Sequence, residues 1–166
     1  RAFRRHLDQE PRRLARRRDP DRDLPARIAE GVDLRHRQLV HAGAIFATSP
    51  DFSTILDSPR HDNLHAMKRI AWVWYHMTQG GLCTALHVNG RTDHDFVRWA
   101  EFIRLQPAVK AIAFEFLTGT ATKQSIDQYC ERLAGLAAAV GRDLTLVVRG
   151  NAEAARALRS AYKQVV

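Results

Sequence analysis

Four short apolar runs, each followed by a helix-length amphipathic stretch, constrain this chain more than any other feature. The runs cover residues 39–47 (LVHAGAIFA), 82–88 (LCTALHV), 109–117 (VKAIAFEFL) and 144–148 (LTLVV). Between the first two, Ser58-Pro59 offers an N-cap and a first helical position. Leu64, Met67, Ile70, Ala71, Trp74 and Met77 then recur at helical spacing until Gly80-Gly81. Thr92 with Asp95 forms a capping-box pattern ahead of Phe96, Val97, Ala100, Ile103 and Leu105, and Pro107 closes that stretch. Ile126, Tyr129, Cys130, Leu133, Leu136, Ala137 and Val140 mark a third helix, stopped by Gly141. Asn151 caps a last one carrying Ala155 and Leu158. Strands joined by helices rather than hairpins are parallel. The expected fold is therefore α/β, a run of parallel strand-helix repeats forming a partial (β/α) barrel, with an open flavodoxin-like sheet as the alternative. At 166 residues the chain falls short of the roughly 250 that eight units need.

Residues 1–37 differ from the rest. They hold Arg12-Arg13 and Arg16-Arg17-Arg18, then alternate Asp with Pro and Arg, with little apolar periodicity. They read as a basic arm or linker, and residues 38–166 as one parallel α/β domain, expected to be part of a longer barrel. The chain opens on Arg, and Tyr162 to Val166 reads as a helix running into a new apolar strand, so further domains of the same chain or a larger assembly are expected partners.

The net charge is +8 and the pI about 10.3. That balance favours polyanions, and nucleic acid is the expected partner, with Arg12, Arg13, Arg16, Arg17 and Arg18 as candidate phosphate contacts. Only four of the 26 basic residues are Lys, and Arg suits bidentate phosphate binding. Two distant cysteines, Cys83 and Cys130, form no CxxC and no disulfide framework, and both are expected to be buried thiols in a reducing compartment. No apolar run approaches a membrane span and no secretory signal is visible, so a cytoplasmic location without membrane contact is expected.

No Walker A loop, GxGxxG or GxSxG occurs. Candidate site residues come instead from the rule that parallel α/β folds bind ligands at the carboxyl ends of their strands. The first strand delivers Thr48, Ser49 and Asp51; the second His87, Asn89 and Arg91; the third Glu115 and Thr118; the fourth Arg149 and Asn151. Asp51 and Glu115 are the acid-base candidates. A carboxylate within AFEF must be paired or functional if it faces inward, and Arg149 is its expected partner. Asn89, Arg91, Arg149 and Asn151 are candidate substrate contacts. His87 is assigned to the core or the strand rim. His61 and His65 have ligand-compatible i, i+4 spacing but no third ligand, so no metal is expected and no cofactor is indicated. Trp72, Trp74 and Tyr75 suggest either base stacking or core packing, and Trp74 fits the apolar stripe.

The stretches SPDFSTILDSPRHDNLHAMKRI (49–70), ALHVNGRTDHDFVRWAEFI (85–103), AIAFEFLTGT (111–120) and LTLVVRGN (144–151) resemble an uncharacterised bacterial and phage-associated family of barrel-type domains. More distantly the architecture is similar to the tRNA-guanine transglycosylase barrel. That likeness implies base exchange with an aspartate at a strand end, where Asp51 stands. The DSGGFQ-type motif and the zinc cysteines of that family are absent here. The expected function is a nucleic-acid-associated barrel domain acting on nucleobases or nucleotides. The alternatives are a small-molecule barrel enzyme with strand-end carboxylates, and a non-catalytic scaffold domain of a larger assembly.

Overall fold

A computed structural model describes residue 31, residues 37–117 and residues 122–166. Arg12, Arg13, Arg16, Arg17, Arg18 and Thr118 lie outside the described residues, as does most of the basic arm. After a helical turn at residues 37–41 come β1 (Phe46–Thr48), α1 (Arg60–Gln79), β2 (Cys83–His87), α2 (Asp93–Leu105) and β3 (Ala111–Glu115). They are followed by α3 (Lys123–Val140), β4 (Thr145–Arg149), α4 (Ala152–Ala157), a 3-10 turn (Leu158–Ser160) and β5 (Gln164–Val165).

All pairings are parallel and the spatial order is β1-β2-β3-β4-β5. The strand-helix alternation thus holds, and the apolar tail near Val165 is a fifth strand. Among the described residues the sheet is open, with β1 and β5 as its edges, so the parallel strand-helix repeats are as expected and no closed barrel is formed. Its sequential order differs from the 2-1-3-4-5 order of a flavodoxin-like sheet. Right-handed crossovers place successive helices on one face of such a sheet. Burial agrees: Leu86, Val88, Ile112, Phe114, Phe116, Leu144 and Leu146 join Ile70, Trp74, Trp99, Ile103 and Leu133 of the helices in one core. Small residues dominate the opposite face, where Ala85, Ala111, Ala113 and Val147 form a separate cluster.

Three local expectations are corrected. The first strand is shorter than residues 39–47, because Leu39 and Val40 belong to the helical turn. Ala42 N–H donates to the Gln38 carbonyl at 2.9 Å, and Gly43 then turns the chain at φ +78°. A short apolar run has no period by which a helix end can be told from a strand. The N-cap of α1 is Pro59 rather than Ser58, with no side-chain cap bond. Cys83, the first residue of β2, is exposed rather than buried, although Ala85 and His87 further along the same face are buried; Cys130 is half-buried, and burial together with Asp127 raises its thiol pKa.

The remaining caps are as the sequence implies. Thr92 and Asp95 make the capping box of α2, and Asn151 accepts from Glu153 N–H and Ala154 N–H, both at 2.9 Å, at the start of α4. Gly150, between β4 and that cap, sits at φ +96°, and a β-carbon there would lie 2.7 Å from the Phe116 carbonyl oxygen. Only glycine meets both demands.

Candidate functional site

The carboxyl ends of the strands gather a polar rim. Register places His87 beside Ala113, Ala113 beside Val147 and Glu115 beside Arg149, on the face turned away from α1, α2 and α3. Parallel strands turn paired residues to the same side, so a floor of alanines lies beneath His87, Glu115 and Arg149. Asp51 joins them from the loop after β1. Asn89 Nδ2 donates to Asp51 Oδ1 over a short 2.5 Å, and the same oxygen stands 3.6 Å from His87 Nδ1. Arg149 Nη1 donates to Glu115 Oε1 at 3.2 Å. Asp51, Asn89, Glu115 and Arg149 therefore share one end of the sheet, and Glu115 pairs with Arg149 as expected.

Asn89 is held from three sides. Its Oδ1 accepts from Thr54 Oγ1 at 3.0 Å, which fixes the amide so that the NH₂ group must face Asp51. Its carbonyl accepts from Trp99 Nε1 at 2.8 Å. The next carbonyl, of Gly90, accepts from the Tyr129 hydroxyl at 3.3 Å. The Asp51 loop is itself tied to α1, since the Asn63 side chain exchanges two bonds with the Ile55 backbone at 2.9 and 2.8 Å. The carboxylate is thus set by a rigid scaffold rather than by its own loop.

His87 is the least satisfied group at the rim. It is 3% exposed, its backbone N–H donates to Ser49 Oγ at 2.8 Å, and neither ring nitrogen has a hydrogen-bond partner. At 3.6 Å the Asp51 oxygen acts on Nδ1 electrostatically without forming a bond. Burial lowers the His87 pKa below its ordinary 6.5, while Asp51 and then Glu115 pull it partly back. The ring is neutral at pH 7. A carboxylate beside Nδ1 favours the tautomer with its proton there, leaving the Nε2 lone pair as an acceptor. A neutral imidazole between two carboxylates can take or give a proton, and the guanidinium of Arg149, with a largely exposed side chain, can meet an anion.

The other candidates are committed elsewhere. Arg91 donates through Nε to the Thr54 carbonyl at 2.7 Å and through Nη1 to the Tyr129 hydroxyl at 3.3 Å, so it braces the rim from below. The Asn151 side chain caps α4. Beside the rim, Asp95 is fully buried and accepts from Arg91 N–H and Thr92 N–H, each at 2.9 Å, and from Arg60 Nη1. Burial alone would raise its pKa, but those bonds outweigh it and hold the carboxyl below its usual range. Gly90 passes so close that a β-carbon on it would lie 2.6 Å from Asp95 Cβ.

Sequence reasoning placed Ser49 and His87 at the strand ends without giving either a role, and it passed over Thr54. The available signal was a lone histidine in an apolar strand, in step with Ala85 on the face away from the helices. Among the described residues no cluster of three or more His, Cys, Asp or Glu side chains could hold a metal, and no helix is long and apolar enough to cross a membrane. Two surface grooves lie on the outer helix layer, one between α2 and α3 around Phe96 and Leu136 and one beside Arg60 and Arg98. They carry none of the rim's chemistry, and the rim is preferred because its groups converge.

Comparison with known proteins found no matching family, no matching curated protein and no matching solved structure. The chemistry of the rim therefore stands on its own residues.

Proposed function

We propose that this chain is a nucleic-acid-associated domain that binds a nucleotide unit at the strand-end rim and transfers a proton on it. The observation that carries this reading is His87: a buried imidazole, unpartnered at both nitrogens, between Asp51 and Glu115. Buried polar atoms without partners are rare in folded proteins, and a ligand is one of the few things that explains them. Asp51, oriented by Asn89, backs the imidazole and completes an acid-base pair. Arg149 offers its guanidinium to a phosphate, with Glu115 holding it in place. The net charge of +8 supports a polyanionic partner.

Thermal shift against a panel of ribo- and deoxyribonucleoside monophosphates tests the proposal. A ligand that binds only the folded chain raises the melting temperature with concentration. At least one nucleotide is expected to do so with the wild type and to fail with His87→Leu. A panel that leaves the wild type unshifted at millimolar concentration overturns the reading.

A further inference from the structure

The outward face of α1 carries a pattern that the rim does not use. Its core-facing residues include Asn63, Met67, Ile70, Val73, Trp74 and Met77. Opposite them, on a 3.6-residue repeat, stand His61, His65, Lys68, Trp72, Tyr75 and His76. Four of these six are exposed, and Trp72 and His76 are half-buried. Tyr75 is 49% exposed. The rings are grouped: Trp72 lies 4.1 Å from His76 and Tyr75 lies 5.6 Å from it, centroid to centroid. Arg69 flanks the stripe, its guanidinium stacked 4.0 Å over the Phe52 ring. The helix has one acidic residue, Asp62, and His61 lies 3.2 Å from it.

A solvent-facing helix stripe normally carries mixed charges. This one has cations and flat rings, with a single acid at its end. Tyr75 is exposed, while Trp72 and His76 keep part of their rings at the surface, Trp72 also packing against the Val73, Met77 and Leu82 cluster; surface rings beside cations are the elements of a single-strand binding surface, in which bases stack on the rings while the cations follow the phosphates. The stripe also has a direction. Because α1 follows β1, its first residues, Arg60 and His61, lie at the strand-end rim, and the aromatic group follows about 17–23 Å further down, at a rise of about 1.5 Å per residue. That spans several nucleotides of a strand whose end could reach Asp51 and His87.

We propose that the outward stripe of α1 is a binding track for single-stranded nucleic acid leading to the rim, a proposal that rests on the nucleotide reading given above. Recognition is by stacking on Trp72, Tyr75 and His76 and by charge at Lys68 and Arg69, without base-edge readout. A duplex, whose bases are already stacked on one another, gains only the electrostatic part.

The test uses the 166-residue chain with end-labelled 12-nucleotide oligo(dT) and oligo(U), and a duplex of the same length, between 50 and 200 mM salt. Single strands are expected to bind more tightly than the duplex and to quench tryptophan emission. That quenching reports Trp72, because Trp74 and Trp99 are buried and bonded to the Thr84 and Asn89 carbonyls. The double variant Trp72→Ala/Tyr75→Ala should lower single-strand affinity about tenfold or more while duplex affinity barely changes. Lys68→Glu, on an exposed position, should weaken binding and flatten the salt dependence. Mononucleotide binding is measured in parallel. If stripe variants leave oligonucleotide affinity unchanged while mononucleotide binding persists, the track is overturned and the rim reading stands. If oligonucleotide affinity falls with the stripe variants but no mononucleotide binds, the rim reading fails and the track stands. Equal loss for single strands and duplex marks a purely electrostatic surface and also overturns the track, as does tight association of the stripe with a protein partner that oligonucleotides do not displace.

Discussion

His87 Nδ1 and Asp51 Oδ1 stand 3.6 Å apart, too far for a hydrogen bond and close enough for charge to matter. The separation leaves the imidazole buried yet unsatisfied while its neighbour is held in place by Asn89. A residue kept only for packing would not be left in that state, since burial without a partner costs stability. His87→Leu is therefore expected to leave the folded chain as stable as the wild type at pH 7, or more stable by about 1 kcal/mol. Urea denaturation followed by circular dichroism measures it; a loss above about 2 kcal/mol would mean that the imidazole is structural.

The pH dependence of stability should carry the same signature. The folded His87 has a pKa below 6.5, so the unfolded chain binds the proton more readily. The contribution is full above 6.5 and is lost as pH falls towards the lower folded value. Urea midpoints recorded from pH 7.5 to 5 should fall for the wild type, and the fall should be smaller in His87→Leu. Parallel curves for the two proteins would contradict the shift.

Thr54→Val is expected to cost about 1–3 kcal/mol, because it leaves the Asn89 Oδ1 without its buried donor. It should also weaken any ligand that depends on Asp51, since the amide is then free to turn its oxygen to the carboxylate. Denaturation gives the first effect and nucleotide affinity the second. Unchanged affinity would show that Asn89 needs no help to orient Asp51.

Asp95→Asn tests the frame beside the rim. The carboxylate is buried and holds Arg91, Thr92 and Arg60 together. Its replacement by a neutral amide should cost about 1.5–3 kcal/mol, the range for hydrogen bonds to a buried charged group. Gly150→Ala should cost at least about 1–2 kcal/mol, from a positive φ and a contact of 2.7 Å with the Phe116 carbonyl oxygen. Thermal or urea unfolding checks both.

Much of the fold was legible because parallel strands under helices leave a strong signature. The runs at 82–88 and 109–117 each contain a strand, the run at 144–148 covers all of β4 but its last residue, and the capping box at Thr92 and the Asn151 cap are present. What the residues could not convey were matters of orientation. Leu39 and Val40 look like a strand because an apolar run of that length has no period. Sheet closure depends on which edges meet, and nothing local records that. The pairing of Glu115 with Arg149 followed from strand order alone. The state of His87 did not: a histidine in an apolar run reads as core until the absence of partners at both ring nitrogens is seen.

The most direct measurement is nucleotide affinity and stability determined together for the wild type and His87→Leu. Calorimetric titration with the monophosphate that gives the largest thermal shift supplies the first, and urea denaturation the second. The account predicts that His87→Leu keeps or gains stability while nucleotide binding falls at least tenfold. A variant that binds as the wild type does, or that loses binding only because it no longer folds, would contradict it.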